Sequence, residues 1–377
     1  MKEGKTVNST IESRLSQFRK ALSEKPYDTF LVLVGENRKY LSGFTGEDTG
    51  FDESAGVLLI AQEKAVLATD SRYDLQAKSE APLFEVVQYK EGLSRELPGI
   101  LQSLSSKAMG FESVRLTCLQ FKAIEEQLRL AGLAIALVPD ENLVENLRIR
   151  KEPAEITAIR KALAIAEDVF MAFVPSLTPG MLEKEVAWEM EKRLREAGAE
   201  ALSFPTIVAS GPNSALPHAI PGIRKIASGE PILFDWGVRM DGYCSDISRM
   251  AHIGKPDATY QKVYQTVLDA QRFATEAVKP GVSSKVVDAI ARTHIENKGY
   301  KGKFGHGLGH GVGMAIHEAP RLSPLKDTQM EPGMVFTIEP GIYIAGWGGV
   351  RIENMAVVTE TGVAVLNRTN PAEMIII

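Results

Sequence analysis

Cysteine is nearly missing from this chain: only Cys118 and Cys244 occur among 377 residues. That excludes a disulfide framework and points to a reducing compartment. An excess of positive charge is missing too. The formal net charge is −5 and no basic run stands out, so no nucleic-acid partner is expected. No apolar stretch is long enough to span a bilayer, which argues against a membrane partner. The segment Met1 to Thr10 is polar and lacks the apolar centre of a signal peptide. Together these absences lead to the expectation of a cytoplasmic enzyme or binding protein.

What is present is patterned. A length of 377 residues exceeds one ordinary core and suits two domains. Ser9 and Glu12 have the spacing of a capping box. Ile11, Leu15, Phe18 and Leu22 then line one helical face. Strands are expected over 29–34, 57–60, 65–68, 83–87 and 133–138, and helices around 97–104 and 121–130, the latter with Phe121, Ile124 and Leu128 inward. Strands alternating with helices predict an α/β domain over residues 1–142. Residues 143–152 are polar and charged and are expected to be a linker. Pro153 suits the first turn of a helix whose apolar face is Ile156, Ile159, Leu163, Ala166 and Phe170. A second domain is expected over 153–377.

That second part carries a faint repeat. Leu177-Thr178-Pro179-Gly180-Met181 resembles Val278-Lys279-Pro280-Gly281-Val282, and Val186 and Gly198 recur at the same offsets as Val287 and Gly299. Two unrelated Pro-Gly turns before helices would give this signal. So would a duplicated unit of turn, helix and glycine stop, with a site between its halves.

Acids fall in pairs. Residues 231–253 read as a hairpin, with Asp235 and Asp246 symmetric about the Met240–Asp241 step and expected opposite each other. Glu339 and Glu353 are equidistant from Gly346 in a second such segment. Like charges facing across a ladder destabilise it. One pair would suit a salt-bridged surface. Two pairs in apolar strand contexts call for divalent cations, because burying four carboxylates without compensation is very costly. Oxygen-rich sites favour Mn, Mg or Ca, with Co, Fe or Zn admitted once an imidazole joins.

The imidazole is at hand. Phe304 to Glu318 holds His306, His310 and His317 among five glycines. Glycine allows positive φ and close backbone approach. His218 follows Asn213-Ser214-Ala215-Leu216-Pro217 and is a candidate to join them. His252 and His294 carry no such context and read as surface or packing residues.

These residues resemble the metallopeptidases of family M24, the creatinase/methionine aminopeptidase group with the pita-bread fold. The resemblance rests on the stretch from Asp235 to Asp246, the Gly-His-Gly-Leu-Gly-His-Gly run, Ile338-Glu339-Pro340-Gly341 and Val350-Arg351-Ile352-Glu353-Asn354, in the family's order. Tyr40 to Gly46, Thr69 to Tyr73 and Gln76-Ala77 resemble small bacterial members of the aminopeptidase P type, although the Gly46–Gly56 segment is longer than usual. The resemblance implies an α/β domain like that of creatinase, then an α+β pita-bread domain with pseudo-two-fold duplication. It implies two divalent ions, manganese first and cobalt, zinc or iron as alternatives. Asp235 would hold one ion, Asp246 and Glu353 would bridge both, and His310 and Glu339 would complete the other. Glu339 would also shuttle a proton. His218, His306 and His317 would face substrate, with His317 near the carbonyl oxygen, and Arg351 and Tyr343 would line or back the pocket. The implied activity is removal of the residue before proline by an Xaa-Pro aminopeptidase. The alternative is an Xaa-Pro dipeptidase, whose site needs a positive group for the substrate's free carboxylate. A creatinase-like hydrolase or a non-catalytic binding module of the same fold is disfavoured by the complete ligand set. Proline-containing peptides and a second copy of the chain are the implied partners.

Overall fold

The computed structural model describes residues 2–50 and 53–377. Met1, and Phe51 with Asp52 inside the long Gly46–Gly56 segment, lie outside the described residues. The chain forms two compact units, Met1–Arg148 and Ile149–Ile377.

In the first unit the opening helix runs Lys2–Leu22. Ser9 is therefore inside the helix and does not cap it. Propagation adds a hydrogen bond per residue, so a permissive polar segment before Ser9 extends the helix rather than ending it. The face expected inward is inward: Ile11, Leu15, Phe18 and Leu22 are all buried. A six-stranded sheet has the order Glu85–Gln88, Ala65–Thr69, Val57–Ala61, Thr29–Val32, Ala108–Glu112, Ala136–Asp140. Its centre, Thr29–Val32, pairs antiparallel with one neighbour and parallel with the other.

Four elements here were not expected from the sequence: the strand Ala108–Glu112 and the helices Gly35–Ser42, Asp74–Glu80 and Glu145–Arg148. The strand and the first of these helices depend on each other. Glu112 Oε2 accepts from Leu33 N and Val34 N at 2.6 Å each, and Oε1 accepts from Asn37 Nδ2 at 2.6 Å. A carboxylate remote in sequence thus occupies the start of the helix, where unpaired N–H groups need an acceptor. Burial pushes this carboxyl up to about 7. The segment 143–152 contains buried Leu143 and Val144 and the helix Glu145–Arg148, whose Arg148 Nη1 donates to Asn37 Oδ1 at 2.6 Å.

The second unit opens with the helix Pro153–Phe173, which has proline at its first turn and a Glu152–Glu155 capping box. Ile159, Leu163, Ala166 and Phe170 are buried along it. The repeat reappears as hydrogen bonds. Gly180 N donates to Ile226 O at 2.8 Å and Ile226 N to Met181 O at 2.9 Å. In the second half Gly281 N donates to Met330 O at 2.7 Å and Met330 N to Val282 O at 2.9 Å. Helices Glu183–Glu196 and Ser284–Ile295 follow these rungs, and the stops Gly198 and Gly299 have φ of 99° and 92°. Matched rungs in both halves select duplication over two unrelated turns. The helices cover antiparallel sheets, one containing Ile207–Ser210, Pro231–Trp236 and Ile247–His252, another containing Gly309–Gly311, Val335–Ile338 and Asn354–Val358. The core between them includes Leu233, Met250, Tyr260, Val267, Phe336 and Ile338.

Both cysteines are free thiols, Cys118 exposed and Cys244 buried. His252 is buried against Tyr260, and His294 lies edge-on to Phe273. No helix among the described residues is long and apolar enough to cross a membrane.

Candidate metal centre and active site

The first hairpin turns on Asp241 and Gly242, whose φ values of 51° and 80° both lie in the left-handed region of a two-residue turn. The centre therefore lies one position beyond the Met240–Asp241 step, and the register moves by two residues. Asp235 stands opposite Ser248, and not opposite Asp246 as the symmetry of the sequence suggested. A shift of two keeps side chains on the same face, whereas a shift of one would reverse it. Carboxylate oxygens of Asp235, Asp246 and Glu353 accordingly lie within 4.8 Å of one another.

The second hairpin keeps its expected register. Ile338 pairs with Asn354, and beyond the acids Gly341 pairs with Arg351 and Ile344 with Gly348. Glu339 and Glu353 lie where the pairing passes from one sheet to the other.

His310 sits in the strand Gly309–Gly311, between Glu318–Leu322 and Val335–Ile338. None of the glycines in the run has a positive φ. Their use is close approach. A Cβ on Gly309 would lie 2.0 Å from Thr337 O, and one on Gly311 would lie 2.0 Å from Ala319 O. His310 Nδ1 is 3.1 Å from Gly311 O, so that nitrogen carries the hydrogen and Nε2 presents a lone pair. Nε2 lies 3.4 Å from Asp246 Oδ2 and 3.3 Å from Glu339 Oε1. Burial, then His317, depress the His310 imidazole to about 3. At neutral pH these contacts are therefore lone pair to lone pair, and need protons or a cation between them.

The carboxylates tell the same story. Burial, followed by the charges of Glu353, Asp235 and Glu339, drives Asp246 well above the usual carboxylate range. Glu353 is raised by burial and by Glu339 and Asp235. Burial lifts Glu339 to about 7. Asp235 Oδ1 and Glu353 Oε1 are buried with no hydrogen-bond partner. Buried polar atoms are normally paired, so these two oxygens mark where a ligand belongs. The donor set of four carboxylates and one neutral imidazole suits divalent cations.

The other oxygens are held from behind. Arg351 Nη2 donates to Asp235 Oδ2 at 2.6 Å, and its Nε donates to Ser248 Oγ at 2.8 Å. Ser248 Oγ donates to Glu353 Oε2 at 2.9 Å. Thr337 Oγ1 donates to Glu339 Oε1 at 3.1 Å and accepts from His310 N at 3.1 Å. Ser248 and Thr337 were not anticipated, yet each stands two residues from a candidate acid, hence on its strand face.

A cavity of about 670 Å³ opens over this group. It is lined by Asp235, Asp246, His310, Glu339, Arg351 and Glu353, and also by His218, His306 and His317. His317 packs edge-on to His310 with ring centroids 4.3 Å apart. Tyr343 is not among the lining residues; it lies behind His306, whose Nε2 is 2.9 Å from the phenol oxygen, and accepts from Arg351 Nη1 at 3.1 Å. Burial, then Arg351, lower His306 to about 4. One charged lining residue escaped sequence reasoning altogether: Arg321, cross-strand partner of His310 and solvent-exposed, with no carboxylate at ion-pairing distance among the described residues. The irregular pairing that brings it there, with a register shift between His310 and Gly311, leaves no sequence signature.

Comparison with known proteins identifies the family. Residues 157–360 match the model of metallopeptidase family M24, and residues 14–150 match the creatinase/prolidase N-terminal domain. An Xaa-Pro dipeptidase structure from Bacillus anthracis is 38% identical with a TM-score of 0.90, covering 97% of this chain and 100% of that one. An X-Pro aminopeptidase structure from Thermotoga maritima is 35% identical with a TM-score of 0.85, covering 95% and 100%. The Xaa-Pro dipeptidase of Pyrococcus furiosus is 36% identical over 95% of this chain and 99% of its own. The chain belongs to metallopeptidase family M24, with a creatinase-type α/β domain ahead of a pita-bread catalytic domain, and that membership implies divalent metal ions as its cofactors.

Proposed function

We propose that this protein is an Xaa-Pro dipeptidase, hydrolysing the bond between a first residue and a C-terminal proline. The sequence motifs put an Xaa-Pro aminopeptidase first. The relatives shift the balance to its alternative, since Xaa-Pro dipeptidases align over nearly the whole chain at 36% and 38% identity. The single observation carrying the choice is Arg321, an exposed guanidinium lining the cavity with no carboxylate partner among the described residues. A dipeptide has a free carboxylate one residue from the scissile bond, and a guanidinium binds carboxylate with two parallel hydrogen bonds. An amide continuing to further residues has no such charge to offer.

Asp235 would hold one cation, His310 and Glu339 a second, with Asp246 and Glu353 shared; manganese is our first assignment, then cobalt, zinc or iron. When bound, such ions supply Lewis acidity and a water acidic enough to ionise near neutral pH. The remaining work falls to side chains. Glu339, which lines the cavity beside these positions, is placed to take a proton from water and release it to the prolyl nitrogen. That nitrogen belongs to a tertiary amide without N–H, so it must be protonated as it leaves. His317, whose pKa is lowered by burial, is neutral at working pH and donates a hydrogen bond to the carbonyl oxygen as charge builds there. His306 is held by Tyr343, and together with His218 it bounds the side of the cavity that receives substrate.

The test is a cleavage panel of Xaa-Pro against Xaa-Pro-Yaa peptides, with Mn, Co and Zn added separately. Preference for the tripeptides would return the reading to an aminopeptidase. Asp246→Ala is expected to abolish turnover and metal occupancy together. The homodimer and the cytoplasmic location are proposals from family resemblance, to be checked by light scattering and cell fractionation.

A further inference from the structure

His218 is the odd member of the histidine set. His306 is fixed through Tyr343, and His310 through Gly311 O. His218 lines the cavity and is exposed, and its ring has no hydrogen-bond partner among the described residues. Its place is set by the loop that carries it.

That loop, residues 211–223, contains a short 3-10 turn and otherwise no regular structure. It is tied down by one side chain in particular. Glu183, the first residue of the helix Glu183–Glu196, is fully buried. Its Oε1 accepts from Ser210 N at 2.7 Å and from Ser210 Oγ at 2.8 Å, where the loop begins. Asn213 Nδ2 donates to Oε1 and Oε2 at 3.2 and 3.0 Å. Gly222 N reaches Oε2 at 3.5 Å, where the loop ends. One carboxylate therefore clasps both ends of the segment. Backbone bonds reinforce the closing end: Lys184 N donates to Gly222 O and Glu183 N to Arg224 O, each at 3.0 Å. On the opposite side the loop meets the acid hairpin, with Gly349 N donating to Ser214 Oγ at 2.8 Å and Arg351 Nη1 to Pro217 O at 3.0 Å. A buried charge survives only where its acceptors are filled, and here the partners filling them are Ser210, which leads into the loop, and Asn213 and Gly222 within it. The carboxylate also sits at a helix N-terminus, where the peptide dipoles favour negative charge.

We infer that Glu183 is a positioning residue for His218, holding an otherwise unrestrained imidazole at the cavity by closing the loop that bears it. The inference rests on the proposal that His218 faces substrate. It makes Glu183 neither a metal ligand nor a group that touches substrate. Removing it is expected to cost the function of His218 and nothing more.

The test is a double-mutant cycle on the metal-loaded protein, with hydrogen exchange as an independent readout. His218→Ala and Glu183→Ala are each expected to lower kcat/KM on an Xaa-Pro dipeptide by about 10- to 100-fold, the worth of a hydrogen bond to a charged or polarised group. The double variant is expected to be no worse than His218→Ala alone, because the two losses are one loss. Metal content should be unchanged, and amide protection should fall at Ser210, whose N–H loses its acceptor, and within 211–223 only. Glu183→Gln keeps a carbonyl oxygen for Ser210 and should recover part of the activity. It replaces the alanine variant throughout if that one fails to fold. Multiplying penalties in the double variant, an accompanying loss of metal, or protection lost across the whole unit would overturn the inference. If His218→Ala alone leaves kcat/KM intact, it is the reading of His218 that fails. The exchange data then judge Glu183 separately: local deprotection supports the clasp and its absence removes it.

Discussion

Arg351 reaches Asp235 through one hydrogen bond of 2.6 Å, Nη2 to Oδ2, and that bond decides which oxygen of Asp235 is left for a cation. Oδ1 remains buried and bare. Ser248 does the same for Glu353, engaging Oε2 while Oε1 stays unpartnered. Since Arg351 Nε also donates to Ser248 Oγ, one guanidinium orients both carboxylates. Outer partners of this kind set ligand direction and basicity.

Arg351→Ala is therefore expected to weaken divalent-cation binding by about 10- to 100-fold. Titration calorimetry on the metal-stripped protein would measure it. Arg351→Lys should recover little, because an ammonium lacks the planar fork that serves two partners at once. Unchanged affinity would show that Asp235 needs no such support.

Arg321→Ala is expected to raise KM for an Xaa-Pro dipeptide by about 10- to 100-fold, with a smaller effect on kcat. The same change should leave a C-terminally amidated Xaa-Pro substrate nearly unaffected, since it has no carboxylate to lose. Equal effects on the two substrates would separate Arg321 from carboxylate recognition.

The pH dependence of stability has a sign that can be worked out. Glu339 holds its proton up to about 7 when folded, against an ordinary 4.5. The unfolded chain therefore ionises first, and stability falls as pH rises through that window. Asp246 and Glu353 are displaced the same way. His310 and His306 run oppositely: lowered from 6.5 to about 3 and about 4, they withdraw stability as pH falls below 6.5. Above pH 6.5 those two histidines contribute no slope, and the raised carboxylates act alone. In chelator the Tm should decline from about pH 6.5 to 8, and saturating manganese should remove the share due to Glu339, Asp246 and Glu353, because a cation takes over from the protons, leaving that of Glu112, also raised to about 7. A flat profile in chelator would mean the acids are not strained by one another.

Lys151 and Glu318 form an ion pair whose side chains are 1% and 8% exposed. Glu318 directly follows His317, so the pair braces the end of the histidine run. Lys151→Met alone is expected to destabilise the protein by about 3–5 kcal/mol, since it removes the cation paired with a buried carboxylate. Combining it with Glu318→Leu should recover much of that loss. Denaturant midpoints of the two single variants and the double variant would measure the coupling.

The parts of the fold legible in the sequence are those built from local periodicity. The inward face of the first helix, the Val57–Ala61 and Ala65–Thr69 pair and the capped helix at Pro153 are examples. The acid pairs were legible for a related reason: period-two strands keep a face even when the register moves, so misplacing the turn at Asp241–Gly242 changed the cross-strand partner of Asp235 without changing which residues gather. What was hidden depends on contacts distant in sequence. The helix Gly35–Ser42 begins where Glu112 supplies an acceptor, and nothing near residue 35 announces that. Arg321 reaches the cavity through an irregular pairing with His310. The glycines of the histidine run were read for positive φ and for close backbone approach; the structure uses only the second, and uses it against carbonyls of neighbouring chain segments.

That use of glycine narrows how this protein can change. Even a methyl group at position 309 or 311 would drive into a carbonyl 2.0 Å away, prising apart the strands that bring His310 to Glu339. Efforts to redirect the enzyme toward other peptides have no room along this seam. The adjustable ground is the cavity's outer lip, where Ile220 lines the opening yet stands 90% exposed, leaving room for a larger or smaller residue.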